Sequence, residues 1–439
     1  MPTQLFSFSY EYWFAAPDLS DSQGDSPIEL YITTTSTASD ILISIPQNGS
    51  FTPISRSLSA WDTETITLTA YKSMLEPSSS GIAESKGLLI ETTEEVSITY
   101  AVMAGSSKVY YTLKGTAAYG TEFVFPGQTK WSRDGSLSTT PTNSMDIVSL
   151  RDETEVKVYL SNDANGYSNG DTITFTLDRG QTYSVQNSST NSGDNLIGSE
   201  IYSSEYIAVT YTEDAVEKSS TSDALGDQII PVNRAGTEYV GYLGKLADGA
   251  NSKDYLVVQS ITDGTHQVQV GNFGTHTFNN KGEVRVYDIL NPTSFSVTSD
   301  DNVLVYQYSG VGDHLSMSLL PPVDECSGSD EVAIHRPTSD DFYVMVFVPN
   351  GGQNHFSSNI SPNPFKNSNM SNLTGLSWKC GIIQIASNKL SAGSTLELTN
   401  SKSVFYAYVL HGDSSDGAVF GTASPFFLEG LSVIEMFHF

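Results

Sequence analysis

Residues 94–106 (EEVSITYAVMAGS), 205–214 (EYIAVTYTED), 301–313 (DNVLVYQYSGVGD) and 402–413 (KSVFYAYVLHGD) read as one strand used four times. Each has a polar lead-in, alternating apolar residues, a Tyr near its end and a polar loop after it. A period of two sends successive side chains to opposite faces of a pleated strand, so half of each segment can enter a core. Aligned on Tyr100, Tyr211, Tyr308 and Tyr408, the copies are 111, 97 and 100 residues apart. That interval is the size of one immunoglobulin-like unit.

The same alternation continues outward. Residues 27–35 (PIELYITTT), 40–46 (DILISIP), 64–71 (ETITLTAY), 155–160 (EVKVYL), 171–177 (DTITFTL), 254–261 (DYLVVQSI), 266–270 (HQVQV) and 283–289 (EVRVYDI) all read as half-buried strands. They are rich in Val, Ile, Thr and Tyr and are broken by Gly, Asn, Asp and Ser. No sustained helical period is found. The inner copies also share an opening, GTEFVFP (120–126) and GTEYVGY (236–242), followed by a strand, an acidic turn and a second strand. The expectation is an all-β chain of about four immunoglobulin-like β-sandwich units in tandem. The expected units are residues 1–117, 118–232, 233–326 and 327–430, with an apolar tail at 431–439. Pro321 and Pro322 stand just before the last boundary, as a stiff connector would. A β-propeller is the alternative, with two four-stranded blades in each unit.

Composition narrows the function. The 439 residues hold 21 Lys and Arg against 50 Asp and Glu, a net charge of −29. Such a balance argues against nucleic acid as a partner, since phosphate binding draws on clustered positive charge. Only 16% of residues are charged, so solubility rests on Ser, Thr, Asn and Gln, as on many extracellular β surfaces. No segment has the run of about 18 apolar residues of a membrane span, and the N-terminus lacks the pattern of an intact signal peptide. Glycosylation sequons begin at Asn48, Asn187, Asn359, Asn369 and Asn372. Two cysteines, Cys326 and Cys380, either pair to close one loop or stay as buried thiols.

The repeats resemble the N-terminal domain family of IgGFc-binding protein. The likeness rests on Gly120-Thr121-Glu122-Phe123 and Gly236-Thr237-Glu238-Tyr239 at unit starts. It rests also on Ile197-Gly198-Ser199-Glu200-Ile201 leading into Tyr206-Ile207-Ala208-Val209, and on Leu319-Leu320-Pro321-Pro322. The opening EYWFAAPD (11–18) is similar to bacterial members. The resemblance implies a non-enzymatic extracellular module that binds a ligand or adheres. Binding of immunoglobulin Fc is not carried over, because the cysteine-rich modules that follow in the animal proteins are missing from this chain.

Chemistry-bearing residues are few. No G-x-S-x-G elbow, H-E-x-x-H helix, P-loop or dinucleotide fingerprint is present, and no enzyme activity is expected. Gly312-Asp313-His314 and His411-Gly412-Asp413 follow the equivalent strand in the third and fourth units. They are candidate ligand contacts, each pairing a carboxylate with an imidazole; the plainer reading is a pair of polar turns. Tyr167, in the loop NDANGYSNGD, is a candidate stacking surface for a sugar. Asp18, Asp21 and Asp25 in DLSDSQGD are candidate calcium ligands, since calcium takes several oxygens from one loop; otherwise they form a solvated acidic turn, like residues 299–302 (SDDN). No other cofactor is expected.

The leading expectation is therefore an extracellular or cell-surface adhesion module that binds a protein or glycan through its loops. The alternatives are a structural subunit of a homo-oligomer, filament or appendage, and a hydrolase with a scattered site.

Overall fold

Strand after strand, the alternation in the sequence becomes alternation in burial. In Ser39–Ser44, for instance, Ser39, Ile41 and Ile43 are buried while Asp40, Leu42 and Ser44 lie partly in solvent. The computed structural model describes residues 8–423, apart from 23, 106, 219–220, 244–253, 290, 325–327 and 416. Its regular structure is nearly all strand, and the helices among the described residues are single turns such as Lys72–Leu75. Cys326 and the apolar tail at 431–439 lie outside the described residues.

The first group of strands forms two facing sheets. One runs Tyr10–Phe14, Leu88–Thr92, Ser39–Ser44, Ile54–Leu58; the other runs Thr63–Thr67, Ile28–Thr34, Val96–Ala104, Ser107–Leu113. Numbering these eight strands along the chain, the orders are first, sixth, third, fourth and fifth, second, seventh, eighth. The inward residues of both sheets, among them Phe14, Leu30, Ile43, Ile90, Ile98 and Tyr100, make one core. Every pair is antiparallel.

The same order recurs in the second and third groups, and in the fourth with one change: its short fourth strand, Met370–Asn372, pairs with the fifth instead of the third. In the second group the first to fifth positions are Gly120–Val124, Asn143–Ser149, Thr154–Tyr159, Thr172–Leu177 and Thr182–Asn187. Its sixth and seventh positions are fused into one 18-residue strand, Glu200–Glu217, and its eighth is Ser222–Gln228. The N-terminal part of the long strand pairs with the first and third positions, and the C-terminal part with the second and eighth. The third group repeats this with Thr293–Ser309 as the fused strand and Ser316–Leu319 as the eighth. In the fourth group Tyr406–Asp413 is the seventh and Gly417–Thr422 the eighth, packed over Glu331–Arg336 and its neighbours. A propeller blade pairs strands in chain order. Here consecutive strands cross between sheets, so the propeller alternative does not hold.

Two expectations are corrected. Residues 299–302, read as an acidic turn, lie within Thr293–Ser309, where the polar residues mark the passage of one strand from one sheet to the other. Residues 64–71 leave the sheet after Thr67 and enter a 3-10 turn at Thr69–Tyr71.

The shared Gly of the two openings has one physical cause. A Cβ on Gly120 would stand 2.2 Å from Pro231 Cβ, and one on Gly236 would stand 2.6 Å from Pro322 Cβ. In both groups the first strand starts against a proline that follows the eighth strand, and only Gly leaves room.

The four groups are not strung out in a line. Strand Ser107–Leu113 lies against both Ser222–Gln228 and Gly417–Thr422, and Ser316–Leu319 lies against the same two strands. The four eighth strands thus form a closed circle with the groups arranged around it. Side chains join the circle: Leu319 N donates to Asp227 Oδ2 at 3.0 Å, Thr112 N to Asp227 Oδ1 at 3.2 Å and Phe420 N to Ser316 Oγ at 2.9 Å. Farther out, Trp131 meets Tyr255 edge-on at 4.7 Å between the second and third groups. Tyr408 OH donates to Val240 O at 2.9 Å between the third and fourth. The fourth group closes on the first through Lys108 and Asp340 at 3.3 Å and through Thr63 and Thr395, whose hydroxyls are 2.6 Å apart.

Candidate functional site

Because every seventh strand turns into an eighth strand of the circle, the four hairpins between them gather at one end of it. Three of these hairpins touch. Lys218 Nζ donates to Gly312 O at 3.1 Å, and Thr221 Oγ1 to Asp313 O at 3.0 Å. A Cβ on Gly312 would come within 2.9 Å of Ser414 Cβ. The loops holding Asp313 and Asp413, 100 residues apart in the chain, are therefore brought side by side. Asp313 is exposed; Asp413 is half-buried and accepts from Ser415 N and Oγ, both at 2.8 Å.

The two imidazoles do not join this surface. His314 Nδ1 shares a 2.9 Å hydrogen bond with Asp223 Oδ1, while Leu315 N donates to Asp223 Oδ2 at 2.9 Å. Burial pushes the Asp223 carboxyl up, against the pull of His314. Both side chains are buried, so the pair fastens the third group to the second and offers nothing to a substrate. His411 is held by Thr338 Oγ1 at 2.8 Å and by the Asp341 carbonyl at 3.0 Å. Burial pushes its imidazole down to about 4, so it is neutral. The expected carboxylate and imidazole contacts thus separate into outward aspartates and inward histidines.

The remaining candidates are scattered. Tyr167 is exposed at the tip of a turn closed by backbone bonds with Ala164 of 2.9 and 3.0 Å, far in sequence from the hairpin end. Asp21 and Asp25 both contact the Lys72 ammonium, whose nitrogen also lies 3.9 Å from Glu76. A lysine cation thus stands where the calcium reading would put its ion. Asp18 is exposed. Among the described residues, no group of three or more His, Cys, Asp or Glu is arranged to hold a metal ion. Cys380 is a buried free thiol, pushed up to about 12 by burial. Of the sequon asparagines, Asn359, Asn369 and Asn372 are exposed and Asn48 is half-buried. Asn187 is buried and donates to Asp163 O, so a glycan does not fit there.

Sequence reasoning missed the buried charges, of which Lys114 and Asp227 join two groups while Arg133 and Glu213 both stand in the second. Lys114 and Asp227 form an ion pair of 2.6 Å, and Arg133 lies 3.2 Å from Glu213 Oε1 with both side chains inside. Glu213 also accepts from Gln128 Nε2 at 2.8 Å and from Tyr211 OH at 2.9 Å. Buried charges survive only when paired and hydrogen-bonded, and here each is. The available signal was a set of charged residues inside apolar alternation: Glu213, Asp223 and Asp227 all interrupt it.

Fold and site together define an all-β scaffold in which hairpins of three groups meet at one end, with His314, Asp223 and His411 buried. The chain belongs to the IgGFc binding protein family, whose model matches residues 109–410, more than half its length. No curated protein matches it. Family members are extracellular and non-enzymatic, and no helix among the described residues is long and apolar enough to cross a membrane.

Proposed function

We propose that this chain is an extracellular recognition module which binds a partner protein at the hairpin end of its circle. Four copies of one sandwich, divided near residues 117, 232 and 326, supply the frame. The observation that carries the reading is the meeting of hairpins from separate groups, with Asp313 outward and His314 anchored beneath it on Asp223. Loops on a rigid scaffold lose little freedom on binding. Given the charge of −29, the partner presents a neutral or basic face, and rim carboxylates steer the encounter.

The family description makes immunoglobulin Fc the first protein to test. The experiment measures binding to immobilised Fc and to an array of glycans at low and high salt, with the native chain and the double variant Asp313→Lys, Asp413→Lys. Salt-sensitive protein binding that the double variant loses supports the reading. Binding that survives the substitution, or binding to glycans alone, contradicts it.

A further inference from the structure

Residues 342–396 form the longest run of the chain without Asp or Glu. At the chain's average of 50 acids in 439 residues, about six would fall there; the run holds three Lys and one His instead. In a chain of net charge −29 this stretch is a local positive island. It includes Asp341–Pro349 beyond its first residue, a strand paired with Tyr406–Asp413 so that Asp341 faces Gly412 and Phe347 faces Tyr406. The loop after Pro349 therefore lies at the end of the fourth sandwich away from the hairpin at Asp413.

A groove of about 440 Å³ opens at that end, a volume within the roughly 300–1,000 Å³ of small-molecule sites. Gln353, Asn354, Lys366, Asn367 and Ser368 line it above Phe356 and Phe365. Gln353 is half-buried and the other four polar residues are exposed, so their polar ends are open to a ligand. Beneath them Asn363 fixes the loop. It accepts from Ser358 Oγ at 3.1 Å and Phe365 N at 3.0 Å, and donates to Phe356 O at 2.9 Å. Gln353 Oε1 accepts from Gly351 N at 2.6 Å, and a Cβ on Gly351 would stand 3.2 Å from Lys402 Nζ. A second ammonium thus stands beside the groove. Among the described residues no carboxylate lines it, and neither Lys366 nor Lys402 forms an ion pair.

We propose that this groove binds an acidic saccharide, with Lys366 and Lys402 facing its carboxylates and Gln353, Asn354 and Asn367 its hydroxyls. A primary amide carries a donor beside an acceptor, as two neighbouring sugar hydroxyls do. A bare anion would leave the amide oxygens without a donor. An ammonium and a carboxylate add the stronger, charge-assisted bond. Phe356 and Phe365 are only 8% and 1% exposed, so the groove has no apolar pocket for the side chain of a peptide. The loop is already held by Asn363, so little order is lost on binding.

Digalacturonic acid is the probe, and titration calorimetry of the full chain follows it. The expected result is saturable binding that weakens as salt is added. The uncharged galactose disaccharide, acetate and a tetra-aspartate peptide are each expected to bind at least tenfold more weakly. Lys366→Gln with Lys402→Gln, and separately Asn354→Ala with Asn367→Ala, should each weaken binding at least tenfold and keep the Tm of the parent, since all four side chains are exposed. Asp313→Lys with Asp413→Lys should bind the probe as the parent does, which separates this groove from the hairpin end. Absent binding, binding that acetate or the peptide matches, or binding that either groove variant retains in full overturns the proposal.

Discussion

The Lys114 ammonium lies 2.6 Å from Asp227 Oδ1, and neither side chain is more than 1% exposed. The two are 113 residues apart and come from different groups of strands. Asp227 accepts in addition from Leu319 N of a third group, so one carboxylate ties three quarters of the molecule.

Removing one partner of such a pair leaves an uncompensated buried charge, at a cost of about 3–5 kcal/mol. Asp227→Ala is expected to lose that much in urea denaturation. The double change Lys114→Met, Asp227→Leu is expected to recover only part of it: the charge goes with its partner, but Leu319 N and Thr112 N lose their acceptor.

Asp146 and Asp214 give the stability a pH dependence. Burial, the largest cause in each, pushes both carboxyls up to about 7, whereas an unfolded Asp titrates near about 3.9. Between those values the folded chain keeps protons that the unfolded chain has lost. Their contribution is therefore full below about pH 4 and lost as the pH rises through about 7. His335 and His411, near 4 when folded and about 6.5 when unfolded, act with the opposite slope: stability falls as the pH drops from about 6.5 to about 4. Urea midpoints measured across this range should show Asp146→Asn flattening the alkaline loss and His411→Gln the acid loss.

The alternating segments were legible because burial on one face of a sheet leaves a period of two in the chain, and the repeated Tyr fixed the interval. The fused strands were not. Residues 203–205 and 299–302 are polar, and polar runs read as turns; here they cross solvent between two sheets without breaking the strand. The circle was hidden for another reason. Its contacts, such as His314 with Asp223 and Thr63 with Thr395, join residues 91 and 332 positions apart and leave no local pattern. The paired hairpin loops were found as motifs, but which of their side chains turn inward depends on strands from neighbouring groups.

Gly120→Ala sets a methyl group against Pro231, where the free distance is only 2.2 Å. Overpacking of this kind costs about 1–3 kcal/mol. Gly236→Ala, facing Pro322 and Asp324, is expected to cost a similar amount. Melting curves of the two variants should shift down together, whereas Gly49→Ala, with open space around it, should not shift.

Lys72 stands among Asp21, Asp25 and Glu76. With a cation already supplied by the chain, chelator is expected to leave the Tm unchanged. Lys72→Gln is expected to lower it, by an amount that shrinks at acid pH as the carboxylates become protonated. A chelator-induced drop in Tm would revive calcium at Asp18, Asp21 and Asp25.

Closure of the circle is tested most directly at Thr63 and Thr395, whose hydroxyl oxygens are 2.6 Å apart although the residues stand in the first and fourth groups. Thr63→Cys with Thr395→Cys in the full chain, oxidised mildly and mapped by mass spectrometry of the monomer, is predicted to yield the peptide pair joined by a disulfide. Two free thiols that label fully in the folded protein and never join would show that the ends stand apart, and would contradict the closed arrangement.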